Sequence, residues 1–146
     1  EDKAVWMLSS GLKTVEWTGG TSANLGASKT SGAYYTRYRN AVLVGAGNQL
    51  YRLNVTDGSI WANWPMATTG NIVSLPVEWR TFVYFGMDTG KLYAVNATTN
   101  VFRANWPVLL DTAASTPKPS QIAFDALSGH VYFATSEGRV YKFATE

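Results

Sequence analysis

Cysteine is absent from the 146 residues, which excludes a disulfide framework and any thiolate chemistry. Histidine occurs once, at position 130, so a histidine-based zinc cluster and a conventional hydrolase triad both lack material. No apolar run approaches the roughly 20 residues of a membrane span; "WPVLL" and "TFVYF" are strand-sized. Charge of one sign is also missing. Twelve Lys and Arg are scattered among ten acids, and without a basic stripe a nucleic-acid partner is not expected. Asp57, Asp88, Asp111 and Asp125 lie in turns or links without calcium-loop spacing, and no GxGxxG or Walker pattern occurs. There is no initiator Met and no signal-peptide pattern. The chain opens "EDKAVW", so it is expected to be a processed mature start or a piece of something longer.

What is present is repetition. "QLYRLNVTDGSIWANWP" (49–65) returns without a gap as "KLYAVNATTNVFRANWP" (91–107), 42 residues later from Tyr51 to Tyr93 and from Trp64 to Trp106. "FVYFGMDTGKLYAV" (82–95) returns as "HVYFATSEGRVYKF" (130–143), which sets Tyr141 beside Tyr93. A partial copy, "AVWMLSSGLKTVEW", opens the chain, with Trp6 in the tyrosine place. A period of about 40–45 residues fits propeller blades.

Each unit reads as strands. "FVYF" and "KLYAV" are short continuous apolar runs of the kind buried on both faces. Between them lies a hairpin turn ending in Gly90 or Gly138. A third strand should end in Trp ("SIWANW", "VFRANW", "KTVEW"), and a weaker one should precede each unit ("YYTRY" 34–38, "NIVSLP" 71–76, "SQIAF" 120–124). No segment has helical periodicity with caps. The expectation is an all-β fold, a β-propeller of four-stranded antiparallel blades with about three blades in this chain. One segment, 1–146, then comprises a partial blade at 1–20, blades at 34–64 and 71–106, and an incomplete blade at 118–146. Tyr51, Tyr93 and Tyr141 are expected at equivalent buried places, and Trp64 and Trp106 on the outer strand or the link after it.

The run Gly90-Lys91-Leu92-Tyr93-Ala94-Val95-Asn96-Ala97-Thr98 resembles the repeat of the PQQ-like, or quinoprotein alcohol dehydrogenase-like, propellers. Leu50, Tyr51, Leu53, Asn54, Thr56, Gly58 and Trp61 or Trp64 match it in the earlier copy, and Gly138, Arg139, Val140, Tyr141 and Phe143 in the last. The similarity covers about three-quarters of the chain. Asn100 stands where the family has Gly, and Arg103 near where it has Trp. The vicinal Cys pair and the Glu, Asn and Asp cluster of the quinone-dependent enzymes are missing. The resemblance therefore implies no cofactor and no metal. Members without cofactor are commonly scaffolds or sensors outside the cytoplasm, which implies a periplasmic, cell-surface or secreted setting.

Chemistry is thin. "DTG" at 88–90 is the tripeptide of aspartic proteases, but the aligned copy reads "SEG" and no second carboxylate motif exists. It reads as a turn, and no catalytic residue is assigned. Asn54-Val-Thr56 and Asn96-Ala-Thr98 are formal N-glycosylation sequons at equivalent turns. They are read either as glycosylated surface sites or as Asx turns that the repeat requires. Three functions stay open: a non-enzymatic scaffold or protein-interaction module; a fragment of a propeller enzyme whose active site lies elsewhere; a glycan-binding module using exposed Trp or Tyr. Closed propellers have typically about 4–8 blades. The open strand edges are therefore expected to be covered by a protein partner, by further copies of the chain or by further sequence.

Overall fold

Strands with apolar or β-branched residues at successive positions can bury both faces, so their sheets stack. The computed structural model describes residues 4–5, 23–26, 29–110 and 118–145. They form thirteen strands and no helix: β1 Ala4–Val5, β2 Ala23–Asn24, β3 Lys29–Thr36, β4 Ala41–Ala46, β5 Gln49–Asn54, β6 Met66–Ala67, β7 Val77–Trp79, β8 Phe82–Gly86, β9 Lys91–Asn96, β10 Val108–Leu109, β11 Pro119–Asp125, β12 His130–Thr135 and β13 Val140–Ala144. Each pairs antiparallel with its chain neighbour, giving β1-β2, β3-β4-β5-β6, β7-β8-β9-β10 and β11-β12-β13. The last three sheets are blades I, II and III of a partial propeller. Val44 opposite Tyr51, Phe85 opposite Tyr93 and Phe133 opposite Tyr141 fix one register for all three.

Period-two alternation then sends each strand's residues to two different neighbours. From blade I, Leu43 and Leu50 pack on Val83, Phe85, Tyr93 and Val95 of blade II. The other face of blade II, with Tyr84, Leu92 and Ala94, packs on Val131 and Phe133 of blade III. On the far side of blade I, Val44, Tyr51 and Leu53 pack with Leu25.

Two expectations need correction. The strands ending in Trp make only single bridges, Leu53 to Ile60 and Val95 to Phe102. The outer strands are β6 and β10, beyond the Trp, so the four strands of blade I span 29–67 and those of blade II span 77–109. The reason is the Ala-Asn-Trp-Pro run. Asn63 and Asn105 take left-handed φ of 66° and 64°, and the Trp64–Pro65 and Trp106–Pro107 peptides are cis. Trp64 N–H donates to the Trp61 carbonyl and Trp106 N–H to that of Arg103, both at 3.1 Å. A turn, not a strand, occupies this stretch. The N-terminal pair follows the same rule, since Val5 opposes Ala23 as Leu50 opposes Met66 and Leu92 opposes Val108. The outer strand expected at 13–17, and Trp6 with it, lie outside the described residues. In blade II the innermost strand is 77–79 and not 71–76; Ile72 makes one bridge, to Met87, before Pro76 ends the link.

Asn100 in place of glycine is accommodated. It adopts φ 59° where Gly58 of the preceding blade has φ 73°. Asparagine is among the few side chains that visit this region readily.

Candidate functional site

The residues singled out for chemistry are held in turns. Asp88 accepts the backbone and side-chain N–H groups of Asn71 at 3.0 and 2.8 Å, tying the "DTG" hairpin to the inter-blade link. Gly90 and Gly138 close the hairpins of blades II and III with φ of 72° and 76°. His130 Nδ1 lies 2.8 Å from Ser128 Oγ, while the Ser128 hydroxyl donates to the Asp125 carboxylate. The serine proton thus points at the acid and away from the imidazole, the reverse of an activated nucleophile. Asp125 is held below the usual carboxylate range, first by the Ser128 hydroxyl and then by backbone N–H groups. Among the described residues no cluster of three His, Cys, Asp or Glu could hold a metal ion.

The sequon asparagines make Asx turns. Asn54 Oδ1 accepts from Thr56 N–H at 3.0 Å; Asn96 Oδ1 accepts from Thr98 and Thr99 N–H at 2.9 and 3.1 Å. Tyr51 and Tyr93 are buried and face the preceding layer, Tyr141 is half-buried, Trp64 is buried and Trp106 half-buried. Tyr93 stacks on Phe85 at 5.3 Å, 9° between planes.

Two features escaped the sequence reading. The first is a serine–glycine pair inside the blades. Ser31 Oγ accepts Gly45 N–H at 2.8 Å and Ser74 Oγ accepts Gly86 N–H at 2.7 Å. In blade III the glycine place is Ala134, and Ser120 Oγ instead donates to its carbonyl at 3.3 Å. A Cβ on Gly45 would sit 2.7 Å from Ile72 Cγ2, and one on Gly86 2.6 Å from Pro119 Cγ. Glycine is required where the following blade approaches. The sequence carried little signal for it, because the serine stands 14 residues before the glycine in blade I and 12 before it in blade II.

The second is an ion cluster between blades I and II. Glu78, whose side chain is fully buried, accepts from Arg39 Nε at 2.8 Å. Arg52 is buried on the facing side and donates to the Ala97 carbonyl at 2.6 Å, with its guanidinium 4.5 Å from the Trp61 ring centre. Burial lowers the Arg52 pKa; Glu78 opposes that shift and Arg39 adds to it. A charged residue on an innermost strand reads as solvent-facing until the neighbouring blade supplies its partners.

Blade III breaks the pattern of burial. Leu50 and Leu92, at one register place in blades I and II, are both 0% exposed, whereas Val140 at that place in blade III is 69% exposed. Its neighbours on this face are Gln121, Ala123, Tyr132, Ala134 and Lys142, none of them buried. Among the described residues β13 has one strand partner, β12, where β5 and β9 each have two. The open face and the open edge belong to the same sheet.

No family model and no curated protein matches the chain. Among solved structures it is similar to BamB from Moraxella catarrhalis, a β-propeller, at 14% identity and a TM-score of 0.69. The match covers 90% of this chain and 37% of that one, so the chain spans little more than a third of that propeller's length. The computationally designed Ika4 protein aligns at 11% identity and TM-score 0.49, over 82% of this chain and 92% of its own. The designed Ika8 aligns at 12% and 0.48, over 99% and 56%. The BamB likeness supports the propeller fold.

Proposed function

We propose that the chain is a non-enzymatic protein-interaction segment of a β-propeller, working outside the cytoplasm, whose blade III face seats a further blade-like layer. One observation carries the reading: the register place buried as Leu50 and Leu92 is exposed as Val140. Burying one such aliphatic side chain gains about 1.5–3 kcal/mol, and a new strand on the edge of β13 would satisfy its outward N–H and C=O groups. The layer is supplied by a second copy, by additional blades of a longer polypeptide or by a partner protein. The extracytoplasmic setting rests on the resemblance of the Gly90–Thr98 run to PQQ-like propellers, and the non-enzymatic reading on turns that fully engage Asp88, Asp125 and Ser128.

Light scattering on the 146-residue chain, with Val140→Glu as the comparison, tests it. Concentration-dependent association that Val140→Glu abolishes is the expected result. A monodisperse monomer, unchanged by the substitution at every concentration, overturns self-assembly and leaves the reading dependent on finding a longer native polypeptide by intact mass. Hydrolase or dehydrogenase turnover traced to residues of this chain would sink the non-enzymatic assignment.

A further inference from the structure

The innermost strands end together. The C-terminal ends of β3, β7 and β11 and the turn after β3 enclose a cleft of about 550 Å³ lined by Tyr34, Tyr35, Arg37, Tyr38, Trp79 and Phe124. That volume lies within the range of ligand sites. Tyr35 and Tyr38 are 53% and 56% exposed, and the Tyr35 hydroxyl is held by Asn40 Oδ1 at 3.1 Å. Trp79 forms the floor. Phe124 stacks on it at 5.7 Å and 24°, and Tyr38 meets it edge-on at 6.2 Å and 86°. The indole Nε1–H of Trp79 is buried and has no acceptor among the described residues.

The charges around the cleft are uneven. Arg37 lies on its lining, and Arg80 carries its guanidinium 5.9 Å from the Trp79 ring centre. Of the carboxylates near these elements, Glu78 is bound through one oxygen to Arg39 and holds the other buried without a partner among the described residues, and Asp125 is bound to Ser128. Burial raises the Tyr34 hydroxyl pKa, with Glu78 and then Tyr38 adding to it, so that hydroxyl stays a neutral donor. The cleft therefore offers the Arg37 cation, an orphan N–H donor and exposed rings, and no carboxylate is among its lining residues.

We propose that this cleft binds an acidic peptide segment of a partner protein. An aromatic or proline side chain packs on the exposed Tyr38 ring, a carboxylate meets Arg37, and a peptide carbonyl accepts the Trp79 indole N–H. A sugar is the poorer fit, because saccharides stack on a broad open ring face. The largest ring here has one face under Phe124 and the edge of Tyr38 against it. The site is separate from the open face of blade III and shares with that reading only the protein nature of the partner.

The test is an NMR titration of the 15N-labelled 146-residue chain with acetyl-Gly-Asp-Pro-Phe-Asp-Gly-amide. The controls are the same peptide with both Asp changed to Asn, and an oligosaccharide, cellohexaose. The Trp79 indole resonance is assigned by Trp79→Phe. The acidic peptide should shift that resonance and the Arg37–Tyr38 amides at about millimolar concentration or below, while the Asn peptide binds about tenfold more weakly. Arg37→Ala, at an exposed position, should bring the acidic peptide down to the affinity of the Asn version. Equal binding of both peptides, shifts only with cellohexaose, or no shift of the Trp79 indole by any probe would each overturn the proposal. Light scattering on the same sample reports separately on the blade III face.

Discussion

A single methyl group placed at Gly86 tests how closely blades II and III meet. Gly86 ends β8, has an ordinary backbone conformation, and faces Pro119 at the start of β11. An added Cβ would lie 2.6 Å from Pro119 Cγ and closer still to its Cβ. Carbon atoms rest at about 3.5–4.0 Å, so roughly 1 Å must be opened between the two sheets. The obstacle is a rigid ring whose φ is fixed, not the end of a flexible side chain. Overpacking costs about 1–3 kcal/mol, and Gly86→Ala belongs at the top of that range, about 3 kcal/mol out of a total of about 5–15. Gly138→Ala is the matched control. Nothing lies within 4 Å of its Cβ, and only the left-handed φ of 76° is penalised, by about 1–2 kcal/mol. Urea unfolding at constant m-value reads both. Pro119→Gly removes the ring, so the double variant should be more stable than the two single losses predict, by about 1 kcal/mol or more. A Gly86→Ala loss below about 1 kcal/mol, or strict additivity with Pro119→Gly, would show that the two sheets do not touch there.

Tyr93→Ala should cost about 3–5 kcal/mol, because the ring is buried against Phe85 and Phe102; Tyr141→Ala, half-buried, should cost clearly less in the same assay. Glu78→Gln leaves Arg52 buried without its counter-charge and should destabilise by about 3 kcal/mol, the low end for a broken buried pair since Arg39 is partly exposed. Asp125 should titrate below 3.8 by carboxyl NMR, and Ser128→Ala should move it back towards that value. Because the folded-state pKa is depressed, the stabilisation is present above the unfolded value and is lost as pH falls through the folded one; the Ser128→Ala variant should lose less stability over that window.

The central hairpins were legible because β8 and β9 are continuous apolar runs flanking a Gly-closed turn, and the repeat shows them again at 130–143. The outer strands were not, because β6 and β10 are two residues long and each directly follows a proline. So short a segment carries no period, and the Trp-ending stretch before it carries a convincing false one. Glu78 was passed over because its partners Arg39 and Arg52 arrive from another sheet. The cleft of Tyr38, Trp79 and Phe124 joins residues from three segments that share no motif and are adjacent only after the blades stack.

Layers that touch only their chain neighbours behave as a one-dimensional array, in which local opening depends on how many sides of a unit are held. Among the described residues blade II is held on both faces and blade III on one. Amide hydrogen exchange should therefore be graded along the chain, slowest in β8 and β9, where opening requires breaking two interfaces. It should be faster in β12 and β13, which can detach by breaking one. Covering the open face of blade III, by whatever layer, should slow exchange in β12 and β13 first and leave the central hairpin of blade II almost unchanged.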